Sequence, residues 1–301
     1  MKKILVIHYS QTGQLTQIID NVTKNISSNC VIEKVRITPK SDFTFPWKPS
    51  EFFSEMADTV ALKGVELNDF IIKEEKYDLI ILGYQPWFLS ASRPISGLFA
   101  NEKFTKVIRN TPIVTVIGAR NMWLNSQKDI LSFINRFEAK LVGNIPLIDK
   151  HTNLVSALTI SYWMFTGRKD KKWGIFPKPG VSDIDISDAI KYGSVIEEHL
   201  VKNKLELLQD RLMEVGQFKI NWDILFIEER AKKIFYVWTK IILKNGTSPS
   251  KKKYLVFGFR CYLTFALFVI SPLILTVYYL FFRIFFRKKE KIKINNYLEI
   301  K

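Results

Sequence analysis

The stretch Ile4-Leu5-Val6-Ile7-His8-Tyr9-Ser10-Gln11-Thr12-Gly13-Gln14-Leu15 decides the fold. Its first half is an unbroken apolar run, the pattern of a strand covered on both faces. It then breaks into a short polar loop. From Leu15 onward the apolar residues Ile18, Ile19, Val22 and Ile26 recur at the spacing of an amphipathic helix. A strand feeding a polar loop feeding a helix presents backbone N–H groups to an anion, because the first helical turn leaves them without partners. Ser10, Thr12 and Gln14 add side-chain donors, and Gly13 lets the backbone come close to a ligand. The loop has no Lys and no G-x-G-x-x-G, so it matches neither the nucleotide P-loop nor the dinucleotide fingerprint.

Working outward, strand one covers roughly residues 3–8 and helix one roughly 15–27. Residues 30–37, 77–83, 111–118 and 140–149 read as four further strands. Helical patterns separate them, which predicts an α/β fold with a parallel sheet. Ligands on such sheets bind at the carboxyl ends of the strands. Two unusual loops fall at those ends: Gln85-Pro86-Trp87-Phe88-Leu89-Ser90 and Ala119-Arg120-Asn121-Met122-Trp123. Trp87 and Phe88, adjacent and beside a proline, are placed to flank a planar ring. Residues 38–65 form a long aromatic excursion around Phe45-Pro46-Trp47-Lys48-Pro49, either a surface insertion or a flap over a ligand. Helices are expected over 124–139, over 151–166 and, after a basic loop at 168–173, in one long run from about 185 to 214.

The chain of 301 residues is 47% hydrophobic and carries a formal charge of +16. The excess is uneven: residues 251–301 hold 11 Lys+Arg against 2 Asp+Glu, a net of +9. That points to an anionic membrane surface rather than a nucleic-acid footprint. Residues 221–243 are amphipathic, with Ile224, Ile227, Ala231, Ile234, Phe235, Trp238, Ile241 and Ile242 in one stripe. Glu228, Glu229, Arg230, Lys232, Lys233 and Lys240 fall mostly opposite. Such a helix packs on the domain or a second copy, or lies in a membrane interface. After a linker at 246–250, residues 261–282 contain no charge and are long enough for a membrane-inserted helix. Lys251, Lys252, Lys253 and Arg260 precede this segment; Arg283, Arg287, Lys288 and Lys289 follow it. A single span would send the second cluster across the bilayer, and a re-entrant hairpin kinked at Pro272 would keep both clusters inside. The two cysteines, Cys30 and Cys261, form no C-x-x-C, and no metal-ligand spacing appears. The short apolar run after Lys2 and Lys3 is too brief for a signal peptide, so a reduced, cytoplasmic setting is expected.

The loop Ser10-Gln11-Thr12-Gly13-Gln14-Leu15 resembles the S-x-T-G-x phosphate loop of flavodoxins, which holds the FMN monophosphate mainly with neutral donors. This implies a flavodoxin-like doubly wound five-stranded parallel sheet, here with a C-terminal helical extension and an apolar membrane-associated helix. The expected divisions are a flavodoxin-like domain at 1–202 with insertions at about 38–65 and 151–180, an amphipathic helical extension at 203–250, and a basic membrane-associated tail at 251–301. Together with Gln85–Ser90 and Arg120–Trp123, the loop is similar to the flavodoxin-like component of bacterial dialkylresorcinol biosynthesis, called the condensing enzyme or aromatase. The resemblance implies FMN held by Ser10, Gln11, Thr12, Gly13, Gln14, Leu15, Pro86, Trp87, Phe88, Leu89, Arg120, Asn121 and Trp123. It implies a lipid-like substrate: a partner ketosynthase makes a 2,5-dialkylcyclohexane-1,3-dione, and this protein oxidises it to the 2,5-dialkylresorcinol of flexirubin-type and aryl polyene pigments. Arg120 is then placed to hold the enolate oxygen, with His8 or His151 as the base. The setting implied is the cytoplasmic face of a bacterial inner membrane, with a homodimer left open and no nucleic-acid partner. A membrane-associated NAD(P)H:quinone-type flavin oxidoreductase and a non-enzymatic electron carrier or scaffold are the rival readings.

Overall fold

In the computed structural model, residues 1–27, 29–298 and 300 are described, apart from the side chains at 282, 284 and 287. Five long strands form one parallel sheet: β1 Lys2–His8, β2 Cys30–Arg36, β3 Leu79–Tyr84, β6 Pro112–Ala119 and β7 Lys140–Ile148. Their order is β2-β1-β3-β6-β7. Counting the long strands alone, this is 2-1-3-4-5, the flavodoxin-like order, with its switch point between β1 and β3. The expected strands form within one or two residues of their expected ends.

The two-residue period of β1 sorts its side chains between two cores. Ile4 and Val6 join Leu15, Ile18, Ile19 and Val22 of α1 (Gln14–Lys24). Leu5 and Ile7 join the opposite face, under α4 (Arg93–Leu98), α5 (Glu102–Ile108) and α6 (Leu124–Arg136). The excursion after β2 carries two short helices, α2 (Pro49–Ser54) and α3 (Met56–Val60). Past β3 a small antiparallel hairpin forms from β4 (Pro86–Trp87) and β5 (Ser90–Ala91). α7 (Asn153–Thr166) follows β7.

The single helix expected from about 185 to 214 is three helices: α8 (Asp183–Asp188), α9 (Ile190–Val201) and α10 (Leu208–Gly216). Asn203 takes a left-handed φ of 52° and stops α9. The chain then turns so that Leu208 and Leu212 bury against Val114 and Gly143 of the sheet. Burial of those two leucines outweighs continuation of the helix.

α11 (Trp222–Asn245) packs on the domain: Phe235 and Ile242 join Met56, Val60, Leu89, Met122, Val256 and Phe259 in a third apolar cluster. The tail runs as α12 (Pro249–Phe265), a π turn (Ala266–Ile270), α13 (Ser271–Val277), a second π turn (Tyr278–Phe282) and α14 (Arg283–Leu298). No reversal occurs at Pro272, so the re-entrant hairpin does not form. The proline sits in the first turn of α13, where its missing N–H falls at the preceding π turn.

Gly193 marks the closest approach of α9 to α1. A Cβ there would lie 2.4 Å from the Val22 carbonyl oxygen. In an ordinary helix interior Gly→Ala gains about 1 kcal/mol. Here Gly193→Ala should instead cost about 1–3 kcal/mol, read as a lower denaturant midpoint; a raised midpoint would refute the close packing.

Candidate functional site

At the carboxyl edge of the sheet, α1 begins directly behind Gly13, whose φ of 80° needs no Cβ. Gly13 offers no side-chain cap, so the first amides of α1 have only weak local partners. Thr16 N–H reaches Ser10 Oγ at 3.4 Å, and Gln14 N–H reaches Thr12 Oγ1 at 3.4 Å. Gln11 Nε2 is buried with no partner among the described residues. An orphaned buried donor in this position suits an anionic oxygen. Arg36 on β2 donates to the Ser10 carbonyl at 3.1 Å and brings a positive charge under the loop. The Gln14 side chain is not a free donor as expected: it donates to Val181 O at 3.1 Å and accepts from Val181 N–H at 3.2 Å, tying down the segment before α8.

The hairpin after β3 pairs Trp87 with Ser90 through a two-residue turn, Phe88-Leu89. Both turn residues have positive φ, 46° and 60°. Such turns ordinarily take Asn or Gly. Two bulky residues there store strain of about 1–3 kcal/mol each, and the neighbouring side chains hold it. Lys232 Nζ on α11 donates to Leu89 O at 3.1 Å, to Ser90 Oγ at 2.6 Å and to Asp129 on α6 at 3.0 Å. Asp129 also accepts from Ala91 N–H at 3.3 Å. Trp87 is buried edge-on to Tyr9, Phe43 and Trp47, with centroids 6.0, 4.9 and 5.6 Å away. Phe88 packs on Phe52 at 4.5 Å.

The loop after β6 is fixed by the same helix. Glu228, one turn before Lys232, accepts from Asn125 N–H at 2.7 Å and Asn125 Nδ2 at 3.2 Å, at the start of α6. Its Oε2 is buried with no partner among the described residues. Burial pushes the Glu228 carboxyl up to about 7, against the bonds from Asn125 and Leu124 and the pull of Arg120. Arg120 donates to Asn153 O at 3.2 Å and contacts Met122 Sδ at 3.2 Å. Burial draws its pKa down to about 10, while Asp149 and Glu228 act in the other direction.

These elements enclose a cavity of about 360 Å³. Gln11, Thr12, Gln14 and Leu15 line one end; Pro86, Trp87, Phe88, Leu89 and Arg120 also face it. The far wall is apolar: Ile160 and Met164 of α7, Ile227 and Ile234 of α11, and Leu263, Ala266 and Leu267 of the tail. Arg120 is the only charged side chain on the wall among the described residues. Trp47, Phe52 and Phe53 line it too, so the aromatic excursion is part of the site.

Six expected residues stand off the wall: Ser10 and Gly13, which lie in the phosphate loop, and Trp123, Asn121, His8 and His151. Trp123 is buried in the main core. Asn121 donates to His151 O at 3.4 Å. His8 sits on Thr16 Oγ1 at 3.1 Å, and burial, aided by Arg36, lowers its pKa to about 4. His151 donates from Nδ1 to the buried Asp149 at 2.6 Å.

The sequence matches no protein-family model and no curated protein sequence. Among solved structures, the flavoprotein from Lactobacillus acidophilus NCFM in complex with FMN is similar at 19% identity, over 50% of this chain and 94% of that one, with a TM-score of 0.39. Oxidised flavodoxin 1 from Bacillus cereus is similar at 14% identity, over 66% of this chain and 97% of its own, with a TM-score of 0.34.

Glu228 gives a pH test. The unfolded carboxyl loses its proton near 4.5, and the folded one keeps it to about 7. Between those values the folded state binds the extra proton, so this group's contribution to stability falls as pH rises and levels off above about 7. Glu228→Gln retains the acceptor for Asn125 and removes the titration. Its stability relative to the parent should rise by up to about 3 kcal/mol between about pH 5 and about pH 8. Denaturant unfolding at both pH values measures this; a constant difference would contradict it.

Proposed function

We propose that this chain is an FMN-dependent oxidoreductase that aromatises a lipid-like ring, a 2,5-dialkylcyclohexane-1,3-dione, to the 2,5-dialkylresorcinol. One observation carries the reading. A single cavity joins a neutral-donor phosphate loop to an apolar wall that holds one cation, Arg120. The residues fit FMN. The orphaned Gln11 Nε2, the Thr12 hydroxyl and the open first turn of α1 suit the phosphate, with Arg36 adding charge from beneath. Trp87 and Phe88, with the aliphatic Leu89 beside them, form an apolar edge for the ring system. Bound FMN would supply the two-electron acceptor that the oxidation requires.

The remaining roles belong to the chain's own residues. A cyclic 1,3-dione is acidic, and a guanidinium beside its enolate oxygen stabilises the anion. Arg120 is the wall residue able to do this. The apolar wall from Ile160 to Leu267 suits alkyl chains and keeps water away. Neither histidine lines the cavity, so neither is assigned as the base; His151 lies beside the Arg120 loop. Its Nδ1–H is fixed by Asp149, and its backbone carbonyl is tied to that loop through Asn121. His8 is engaged with Thr16 beneath the phosphate loop. A ketosynthase supplying the dione is the partner this reading favours, at the cytoplasmic face of a bacterial inner membrane.

The direct test mixes purified protein, FMN, oxygen and a synthetic dialkylcyclohexanedione and looks for the resorcinol by mass spectrometry. Product is expected. Bound flavin without product, alongside rapid oxidation of NAD(P)H with quinone, would replace this reading with the quinone-reductase one. Thr12→Glu should weaken FMN binding by at least about tenfold, by placing a like charge against the phosphate, and flavin fluorescence quenching measures it. Arg120→Met should lower turnover by about 100-fold or more while the flavin remains bound.

A further inference from the structure

The tail helix Pro249–Phe281 is long and apolar enough to cross a membrane. Only 11% of its most apolar window is buried, yet the contacts it does make tie it to the domain at several points. At about 1.5 Å per residue, its uncharged part, residues 261–282, runs about 33 Å, close to the ~30 Å hydrocarbon core of a bilayer, so the placement is decided by contacts rather than by length. The helix is pinned to α11 towards both ends. Phe259 packs on Phe235 and Trp238, with centroids 5.3 and 5.9 Å away, and Tyr278 packs on Phe226 at 4.5 Å. α11 in turn is fastened to the domain through Glu228 and Lys232. The chain beyond the helix also returns to the domain. Lys293 pairs with Glu229 at 2.5 Å, Tyr297 donates to Glu229 at 3.2 Å, and Gln209 of α10 donates to Leu298 O at 2.7 Å.

The outward face of the same helix is a ridge of large apolar side chains. Phe265, Val269, Leu273 and Val277 stand four residues apart and are exposed by 55, 49, 63 and 41%. Leu280 continues the row at 68%. A four-residue step overshoots an ideal α-helical turn and would drift round the axis. The π turns at 266–270 and 278–282 take up the excess and keep the row on one side. Exposed basic residues stand at both ends: Lys251, Lys253 and Arg260 before the ridge, and Lys288, Lys289 and Lys291 after it.

We infer that the tail is a monotopic docking element. Its outer ridge lies along the acyl boundary of an anionic bilayer, and both basic clusters stay on the side of the domain. An apolar ridge with a cation cluster at each end complements a lipid surface with anionic headgroups. A second copy of the chain would bring like-charged clusters together. Leu263, Ala266 and Leu267 on the inner side of this helix are cavity wall, so docking sets the cavity one helix thickness from the lipid. The inference rests on surface and contacts, independently of the ring chemistry.

Inverted inner-membrane vesicles holding the full chain, in a Cys30→Ser, Cys261→Ser background with Asn296→Cys, test the placement. A membrane-impermeant maleimide should label Asn296→Cys without detergent. Labelling only after detergent would mean that the helix spans, and would overturn the inference. With purified protein, flotation should favour vesicles of phosphatidylcholine with phosphatidylglycerol over phosphatidylcholine alone. Leu273→Glu with Val277→Glu, neither of which lines the cavity, should reduce flotation by about tenfold or more. A soluble dimer that ignores both vesicles, and that the paired Glu substitutions split, would instead assign the ridge to a second copy. Retained flavin binding in the double variant shows that it folds, and the maleimide experiment stands without it.

Discussion

Two side chains one turn apart on α11 hold the functional edge of the sheet together. Glu228 accepts from the Asn125 amide in the first turn of α6 and so fixes the loop that carries Arg120. Lys232 joins the Phe88-Leu89 turn to Asp129. At an i,i+4 spacing the two share one face of the helix, and that face seats on both loops at once. Loops at the carboxyl end of a parallel sheet have no ladder of their own beyond the last strand residue. Without this clamp, the strained Phe88-Leu89 turn would relax and the cavity would lose the relation between its aromatic edge and its cation.

The central sheet was legible because its signals are local. Apolar runs bounded by polar loops mark buried strands, and all five appear where the sequence places them. The phosphate loop was legible for the same reason: strand, polar turn, glycine and helix are contiguous from Ile4 to Leu15. Glu228 and Lys232 were not. The 3.6-residue period assigns them to the polar side of α11, and a polar side ordinarily faces water. Periodicity reports which residues share a face, not which element covers it. Here α6 and the hairpin cover it: Lys232 is paired with Asp129, and Glu228 is bonded through one oxygen while burial raises its pKa. Arg36 was missed for another reason: it is exposed, as a charged residue at the end of an edge strand should be, and its bond to Ser10 O joins residues 26 positions apart. Trp123 erred the other way: a large aromatic at a strand end has the composition of a ring contact, and the core absorbed it.

The long tail shows a similar division. Composition established that residues 261–282 are apolar enough for lipid. It could not say that Glu229 and Gln209 capture the chain beyond, because those contacts join residues 64 and 89 positions apart. The basic flanks that looked contradictory for a single span are consistent with a helix whose two ends remain on one side.

The cavity wall contributed by Leu263, Ala266 and Leu267 has a practical consequence. A biochemist seeking a soluble form would be drawn to cut the chain near Gly246. That cut would open the pocket along its length and strip Phe259 from the cluster that supports Phe88. What a domain map would draw as an appendage supplies, on its inner row, part of the cavity wall. Solubility is better sought by recolouring the outer ridge residue by residue, leaving the inner row of the same helix as it stands.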